Sequence, residues 1–425
     1  ISIQINKLQG ISQKSSNVVS KCPQRTMNVS SLCKLIALFL FVAHSKVKAY
    51  EKNPVSLQTS VKSNLKPVGI SAAIAGLFVG KKFINGPNFE ENVSLQGKIA
   101  VITGGNTGLG KETAVKLASL GASTYILCKS PSRAEEAVKE IVARSGGNTN
   151  VHSLELDLAD LKSVQRCAEN LKSSLGKIDI LVNNAGVMAI PERTVTKDGF
   201  ETHLGINHLG HYALTGMLWD LLLKSDAPTT RIINVASAAH LLGNDQLLRD
   251  DLMLTKEGSY GPWPAYGNSK LANILFTREL DRRIREQAQS TGSTSSSVSK
   301  VVTMSCHPGG CRTELGRYIV DPKTIESLPP AVLPLIGVAA SPLLYFTKSA
   351  EEGAQTQIYL SASSTIAAAP SIIGSTPSSG SGSGSGGLYF DNSAPVSPSP
   401  AAMDAQLGRW LWEESQRLTG VKYAV

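Results

Sequence analysis

From Lys98 onward, short apolar runs alternate with stretches of helical period, and this alternation restricts the chain more than any other feature. KIAVIT, TYILC, NVHSLEL, IDILVNN, RIINVA and KVVTMS read as fully buried strands. Between them, segments near 108–120, 132–144, 160–174, 203–223 and 266–289 carry the spacing of helices. Strand and helix in strict alternation specify an α/β fold: a doubly wound parallel sheet with right-handed crossovers. One domain spanning 98–425 accounts for the whole pattern.

The first strand runs into TGGNTGLG, Thr103 to Gly110, and a helix follows. Gly104 permits a sharp turn, Gly108 lets a pyrophosphate approach the backbone, and Gly110 allows close helix–strand packing. Asn106, Thr107 and Leu109 complete the loop, and the helix N-terminus presents unpaired N–H groups to phosphate. In this strand–turn–helix context the glycines indicate a Rossmann-type dinucleotide site. The next strand end selects the cofactor. An NAD site places an acid about 20 residues past the last glycine, for the ribose 2′-OH. Here Lys129 stands 19 residues past Gly110, in Cys128-Lys129-Ser130, and suits a 2′-phosphate that an acid would repel. The nearest acid beyond, Glu135, is carried away by a helical turn. NADP(H) is the expected cofactor.

Tyr266 and Lys270 are spaced i, i+4 at an expected helix start, which stacks both side chains on one face. Such a pair is common on helix surfaces. In an active site, however, the ammonium, with the nicotinamide ring's positive charge, stabilises the phenolate and lowers the phenol's pKa from near 10. The tyrosine can then exchange a proton with a carbonyl or alcohol oxygen. Ser237, ending RIINVA, supplies a hydroxyl for the same oxygen. Asn207 is a polar amide among apolar helical neighbours and needs a partner, which a water-bridged relay to Lys270 would provide.

Taken in order, TGGNTGLG, Asn183-Asn184-Ala185-Gly186, Asn207, Ser237, Tyr266/Lys270 and His307-Pro308-Gly309 resemble the short-chain dehydrogenase/reductases. GNTGLGKETA, DGFETHLGINHLGHYALT, NVASAAH, YGNSKLANILFTREL and HPGGCRTEL resemble the retinol dehydrogenase-like branch, and similarity extends from about Val68 to the C-terminus. The resemblance implies that Asp157 and Leu158 lie near the adenine, and Asn184, Ala185 and Gly186 beside the adenosine ribose. It also places Pro308, Gly309 and Thr313 around the nicotinamide, and has Tyr266 and Lys270 contact the cofactor as well as the reaction. Two departures are Ala236, where a serine is frequent, and Lys129, where the branch usually has an arginine fork. The implied activity is reversible carbonyl/alcohol oxidoreduction on a hydrophobic small molecule. The alternatives are a protochlorophyllide-reductase-like plastid enzyme and a dinucleotide-sensing scaffold at a plastid envelope.

The net charge of +9 at first suggests an anionic partner. Residues 1–98, however, hold 13 Lys/Arg against 3 Asp/Glu, while the remainder holds 29 against 30. The folded part therefore has no electrostatic case for nucleic acid. No His/Cys cluster has zinc spacing, so no metal is expected. Residues 1–67 read as a targeting presequence: a signal-peptide-like stretch at 27–49, then a basic, transit-like stretch at 50–67, with translation from Met27, leaving out 1–26, as one reading. That order resembles a bipartite plastid presequence; an endoplasmic-reticulum signal is the other reading. Val68–Val79 falls short of the ~20 residues of a spanning helix and reads as a surface anchor to a membrane, with 68–97 as anchor and linker. The apolar 328–346 segment, broken by four prolines, is expected to form a greasy lid, and 361–387 a flexible Ser/Gly-rich insert. A homodimer is compatible with all of this.

Overall fold

The computed structural model of the chain describes residues 81–82, 84–290, 297–313, 347–366 and 386–425. All six apolar runs are strands: β1 (Ile99–Thr103), β2 (Ser123–Cys128), β3 (Val151–Glu155), β4 (Ile180–Asn183), β5 (Thr230–Val235) and β6 (Val301–His307). LYFD contributes β7 (Tyr389–Asp391), and β8 (Ala394–Val396), which the sequence pattern did not indicate, closes the edge. Strand order is β3-β2-β1-β4-β5-β6-β7-β8, parallel except for the β7–β8 pair. The winding reverses between β1 and β4, and the crevice at their carboxyl ends is where such sheets bind ligands.

The inner strands read as continuous apolar runs because both faces of the sheet are covered there, whereas β3, expected to be fully buried, is an edge strand with only Val151 buried and His152 and Glu155 exposed. Within β1, Ala100 and Ile102 pack into one layer while Val101 packs into the other. The first layer is built by α1 (Gly108–Ser119), α2 (Pro131–Arg144) and, from much later in the chain, α8 (Ala350–Ala362). The opposite layer holds α3 (Leu161–Ser174), α4 (residues 202–217) and the long α7 (Pro262–Ser290).

α4 is not the straight helix expected over 203–223. It begins as Thr202–Leu204, widens into a π-turn at Gly205–Leu209, and resumes as Gly210–Met217 before the short α5 (Trp219–Leu223). The glycines bounding the π-turn sit against neighbours that leave no room for side chains. A Cβ at Gly205 would lie 2.5 Å from Thr196, and one at Gly210 2.8 Å from the Leu158 carbonyl. π-turns of this kind recur at functional sites, and this one carries Asn207. A second correction concerns α7, which starts at Pro262, so Tyr266 lies one turn inside it.

The remaining helices are α6 (Asp245–Asp250), α9 (Pro400–Met403) and α10 (Ala405–Thr419), which packs along α7. Of the expected insert at 361–387, Ser361 and Ala362 close α8 and Ile366 is buried, and residues 367–385 lie outside the described residues. The targeting segments, the 68–79 run and the 328–346 run lie outside the described residues. Among the described residues, no helix is long and apolar enough to cross a membrane.

Candidate active site

The glycine turn forms a tight cradle at the end of β1. Gly104 and Gly108 adopt left-handed backbone, at φ +65° and +54°. A Cβ at Gly110 would lie 2.4 Å from the Gly104 carbonyl oxygen and 2.5 Å from Asn184 Nδ2, so only glycine fits. Thr107 caps α1 in extended conformation without using its side chain, and the first turn carries no acid that would repel a phosphate. Behind the turn, burial pushes the Cys128 thiol up to about 11. The Leu109 carbonyl accepts from Thr113 Oγ1 and Gln357 Nε2.

Across the switch point, Asn184 donates through N and Nδ2 to Thr103, and Ala185 N also donates to Thr103 Oγ1. Lys129, just past β2, is largely exposed and lies 3.0 Å from the Asp157 carboxylate. Two residues expected at the adenosine end thus face each other. Leu158 is buried against Gly210. At the other end of the crevice, Thr313 sits 3.4 Å from where a Gly108 Cβ would be, and Gly309, at φ +91°, lies under the stem of Lys348. The Pro308 carbonyl accepts from Cys311 Sγ.

Beside this cradle the four expected reaction residues converge. Tyr266 is buried, and Ser237, which follows β5, acts on its phenol from alongside. Ser237 Oγ also accepts from Ala239 N at 3.1 Å. Lys270 is buried, donates to the Val235 carbonyl at 2.8 Å, and has its nitrogen 5.8 Å from the Tyr266 ring centre. A Cβ at Gly186 would lie 3.0 Å from Asn207 Oδ1 and 3.7 Å from Lys270 Nζ, so the missing side chain leaves both groups facing one space.

Two expectations need correction. Burial outweighs any pull from Lys270 on the phenol and pushes Tyr266 up to about 12, against the opposing effect of Ser237. Burial likewise lowers Lys270 to about 8. Taking both groups out of water disfavours both charged forms. The Asn207 amide, for its part, does not need a relay to be satisfied. Its Nδ2 donates to the Val187 carbonyl at 3.0 Å and Ser269 Oγ at 2.8 Å, and its Oδ1 accepts from Val187 N.

Several residues here went unnoticed in the sequence. Thr103 anchors the Asn184–Ala185 turn, and His211 bridges Thr103 to Asn207. Gln357 of α8 braces Leu109 and Asn184. Glu201 and His203 form a buried pair at 2.8 Å, and the His203 ring lies 6.3 Å from Tyr266. The Trp263 ring also lies 6.4 Å from Tyr266, and the Tyr260 ring 6.4 Å from His203. Only His211 offered a local hint, its i, i+4 spacing from Asn207.

Comparison with known proteins adds an independent line. The profile of the short chain dehydrogenase family matches residues 98–248. Human (Homo sapiens) retinol dehydrogenase 13 is 36% identical over 361 residues, 84% of this chain and 96% of that one. Retinol dehydrogenase 12 of Homo sapiens is 40% identical over 343 residues, 81% of this chain and 93% of its own. A crystal structure of an uncharacterized protein from Mycobacterium paratuberculosis superposes with a TM-score of 0.56 at 30% identity, covering 80% of this chain and all of that one.

Proposed function

The chain belongs to the short-chain dehydrogenase/reductase family, in its retinol dehydrogenase-like branch, and on that premise we propose that it reduces a hydrophobic aldehyde or ketone, reversibly, with NADPH. The observation that carries this reading is the buried Tyr266 beside Ser237, with Lys270 one helical turn away and its nitrogen 5.8 Å from the ring centre.

A phenol held at a pKa of about 12 is protonated at neutral pH, so Tyr266 enters the reaction as an acid. It donates its proton to the carbonyl oxygen as that oxygen gains charge, and Ser237 holds the same oxygen by hydrogen bonding. Bound NADPH supplies the hydride. Gly104, Gly108 and the start of α1 grip its pyrophosphate, Lys129 its 2′-phosphate, Asn184 to Gly186 the adenosine ribose, and Pro308, Gly309 and Thr313 the nicotinamide end. Lys270 holds the remaining ribose, and its ammonium favours the phenolate once the proton has left. Asn207 and Lys270 share the space over Gly186 in which a water can return that proton. The half-buried rings of Tyr260 and Trp263 near Tyr266 favour an apolar substrate. The retinol dehydrogenase relatives agree with that substrate class.

NADPH consumption across a panel of lipophilic aldehydes tests the reading. Tyr266→Phe should lower kcat by about 10²–10⁴-fold, the usual worth of a general acid. NADPH affinity should stay within a few-fold, because the cofactor is held elsewhere. Retention of more than about a tenth of the activity would remove Tyr266 as the acid. Tight NADPH binding with no turnover on any aldehyde would instead indicate a dinucleotide-binding scaffold.

A further inference from the structure

Thr103 ends β1 inside the core, and its hydroxyl oxygen accepts two backbone N–H groups, from Asn184 and Ala185, each at 2.9 Å. Both lone pairs are then in use, so the hydroxyl's own proton must be donated outward. The nearest acceptor is His211 Nε2 at 2.8 Å, ahead of the Val182 carbonyl at 3.5 Å. The other ring nitrogen, Nδ1, lies 3.0 Å from the main-chain carbonyl of Asn207. A carbonyl only accepts, so Nδ1 carries the ring's proton and Nε2 is bare. The partners thus define one neutral tautomer. Burial favours the same state, lowering the imidazole to about 4.

We propose that His211 is a positioning residue, which through one neutral ring holds Asn207 at the π-turn and the Asn184–Ala185 turn in mutual register. The proposal rests on the functional reading above, in which the 184–185 turn grips the cofactor and Asn207 serves proton return. Its geometry is specific to histidine. The ring needs an acceptor toward β1 and a donor toward α4, on opposite sides of a rigid body. A protonated ring would turn a second N–H toward the Thr103 hydroxyl, whose oxygen is already saturated. His211 is itself part of α4, so the contact joins the π-turn's carbonyl to the strand carrying the glycine turn.

The two halves of the ring can be removed separately. Asparagine places a polar atom near Nδ1, and glutamine places one near Nε2. His211→Asn keeps a donor for the Asn207 carbonyl but strands the Thr103 hydroxyl. Its loss should fall mainly on NADPH affinity, with about a ten-fold rise in Kd, the scale of one hydrogen bond. Thr103→Val removes the oxygen that anchors Asn184 and Ala185 and should raise Kd at least as far. Combined with His211→Asn it should add almost nothing, since both act through one contact. His211→Gln keeps the Thr103 contact and frees the Asn207 carbonyl, so its loss should fall mainly on kcat, again by about ten-fold.

Affinity is read by fluorescence titration with NADPH, turnover by aldehyde reduction, and folding by thermal melts. Parallel loss of kcat and affinity in both His211 variants, or additive effects of Thr103→Val and His211→Asn, would overturn the proposal. A lowered melting temperature with both constants unchanged would do so as well, because it marks a merely structural ring. If the wild-type protein binds NADPH but reduces nothing, the functional reading fails. The affinity measurements still decide the coupling in that case, and unchanged Kd values would end it.

Discussion

Position 129 shows how little an exposed pair constrains a side chain. Lys129 and Asp157 lie 3.0 Å apart, with the lysine side chain 75% exposed. An exposed ion pair of this sort is worth about 0–1 kcal/mol, so turning the ammonium toward another anion costs little. A 2′-phosphate carries nearly two negative charges and outcompetes one carboxylate. A ribose hydroxyl offers no such gain. NADPH should therefore bind at least ten-fold tighter than NADH, a difference of about 1.4 kcal/mol. Lys129→Asp should narrow or reverse the preference, and equal affinities in the wild type would reject this role for Lys129. Titration of each cofactor by fluorescence measures both.

The elements that hold the cradle come from distant parts of the chain. α1 provides the phosphate-facing turn, and α8 locks it from behind: a Cβ at Gly353 would meet Leu109 at 2.7 Å, and Gln357 reaches Leu109 and Asn184. The Ser349–Glu352 capping box fixes where α8 begins, beside Lys348, which pairs through its backbone with Gly310 and Arg312. One helix thus braces both ends of the crevice. The space between α1 and β1 is equally unforgiving. Gly110→Ala would press a methyl group against the Gly104 carbonyl and Asn184, and neither is free to retreat. Overpacking of this kind typically costs about 1–3 kcal/mol. A melt should show that loss, and NADPH titration should show binding abolished. Gly176→Ala, with nothing within 4 Å of its Cβ, serves as the control and should change neither measurement.

For the whole molecule, the relevant boundary lies before Lys81. Lys81 Nζ donates to the Thr347 carbonyl at 2.8 Å and pairs with Glu352, which also accepts from Asn85. Phe89 is buried and its N–H donates to Gln355, while Glu91 accepts from Ser363 and Ser364 at the far end of α8. This segment is a strap along α8, so it belongs with the catalytic domain. The basic residues 1–67, by contrast, we propose to serve location. A protein starting at Val68 should keep its turnover and NADPH affinity while losing its destination in cells. Removing the chain through Gly97 should lower the melting temperature, since Phe89 and Leu95 are each worth about 1.5–3 kcal/mol when buried. Lost NADPH binding in the shorter truncation would move the boundary upstream.

Chemistry decided over short distances along the chain was legible from the residues alone. Strands buried on both faces announce themselves as apolar runs, Gly104, Gly108 and Gly110 act within one turn, and Tyr266 and Lys270 share a helix face by spacing. These features depend on backbone geometry within about ten residues, which the order of residues states directly. The tertiary structure alone decided the rest. The π-turn at Gly205–Leu209 is hidden because α4 is buried all round, so its apolar period carries no mark of an extra residue. His211 meets Thr103 across 108 residues, and Gln357 meets Leu109 across 248. No spacing rule connects such positions, because the crossovers of the sheet bring them together. The pKa values of Tyr266 and Lys270 were likewise set by the depth of burial, which overrides the charge that their spacing suggested.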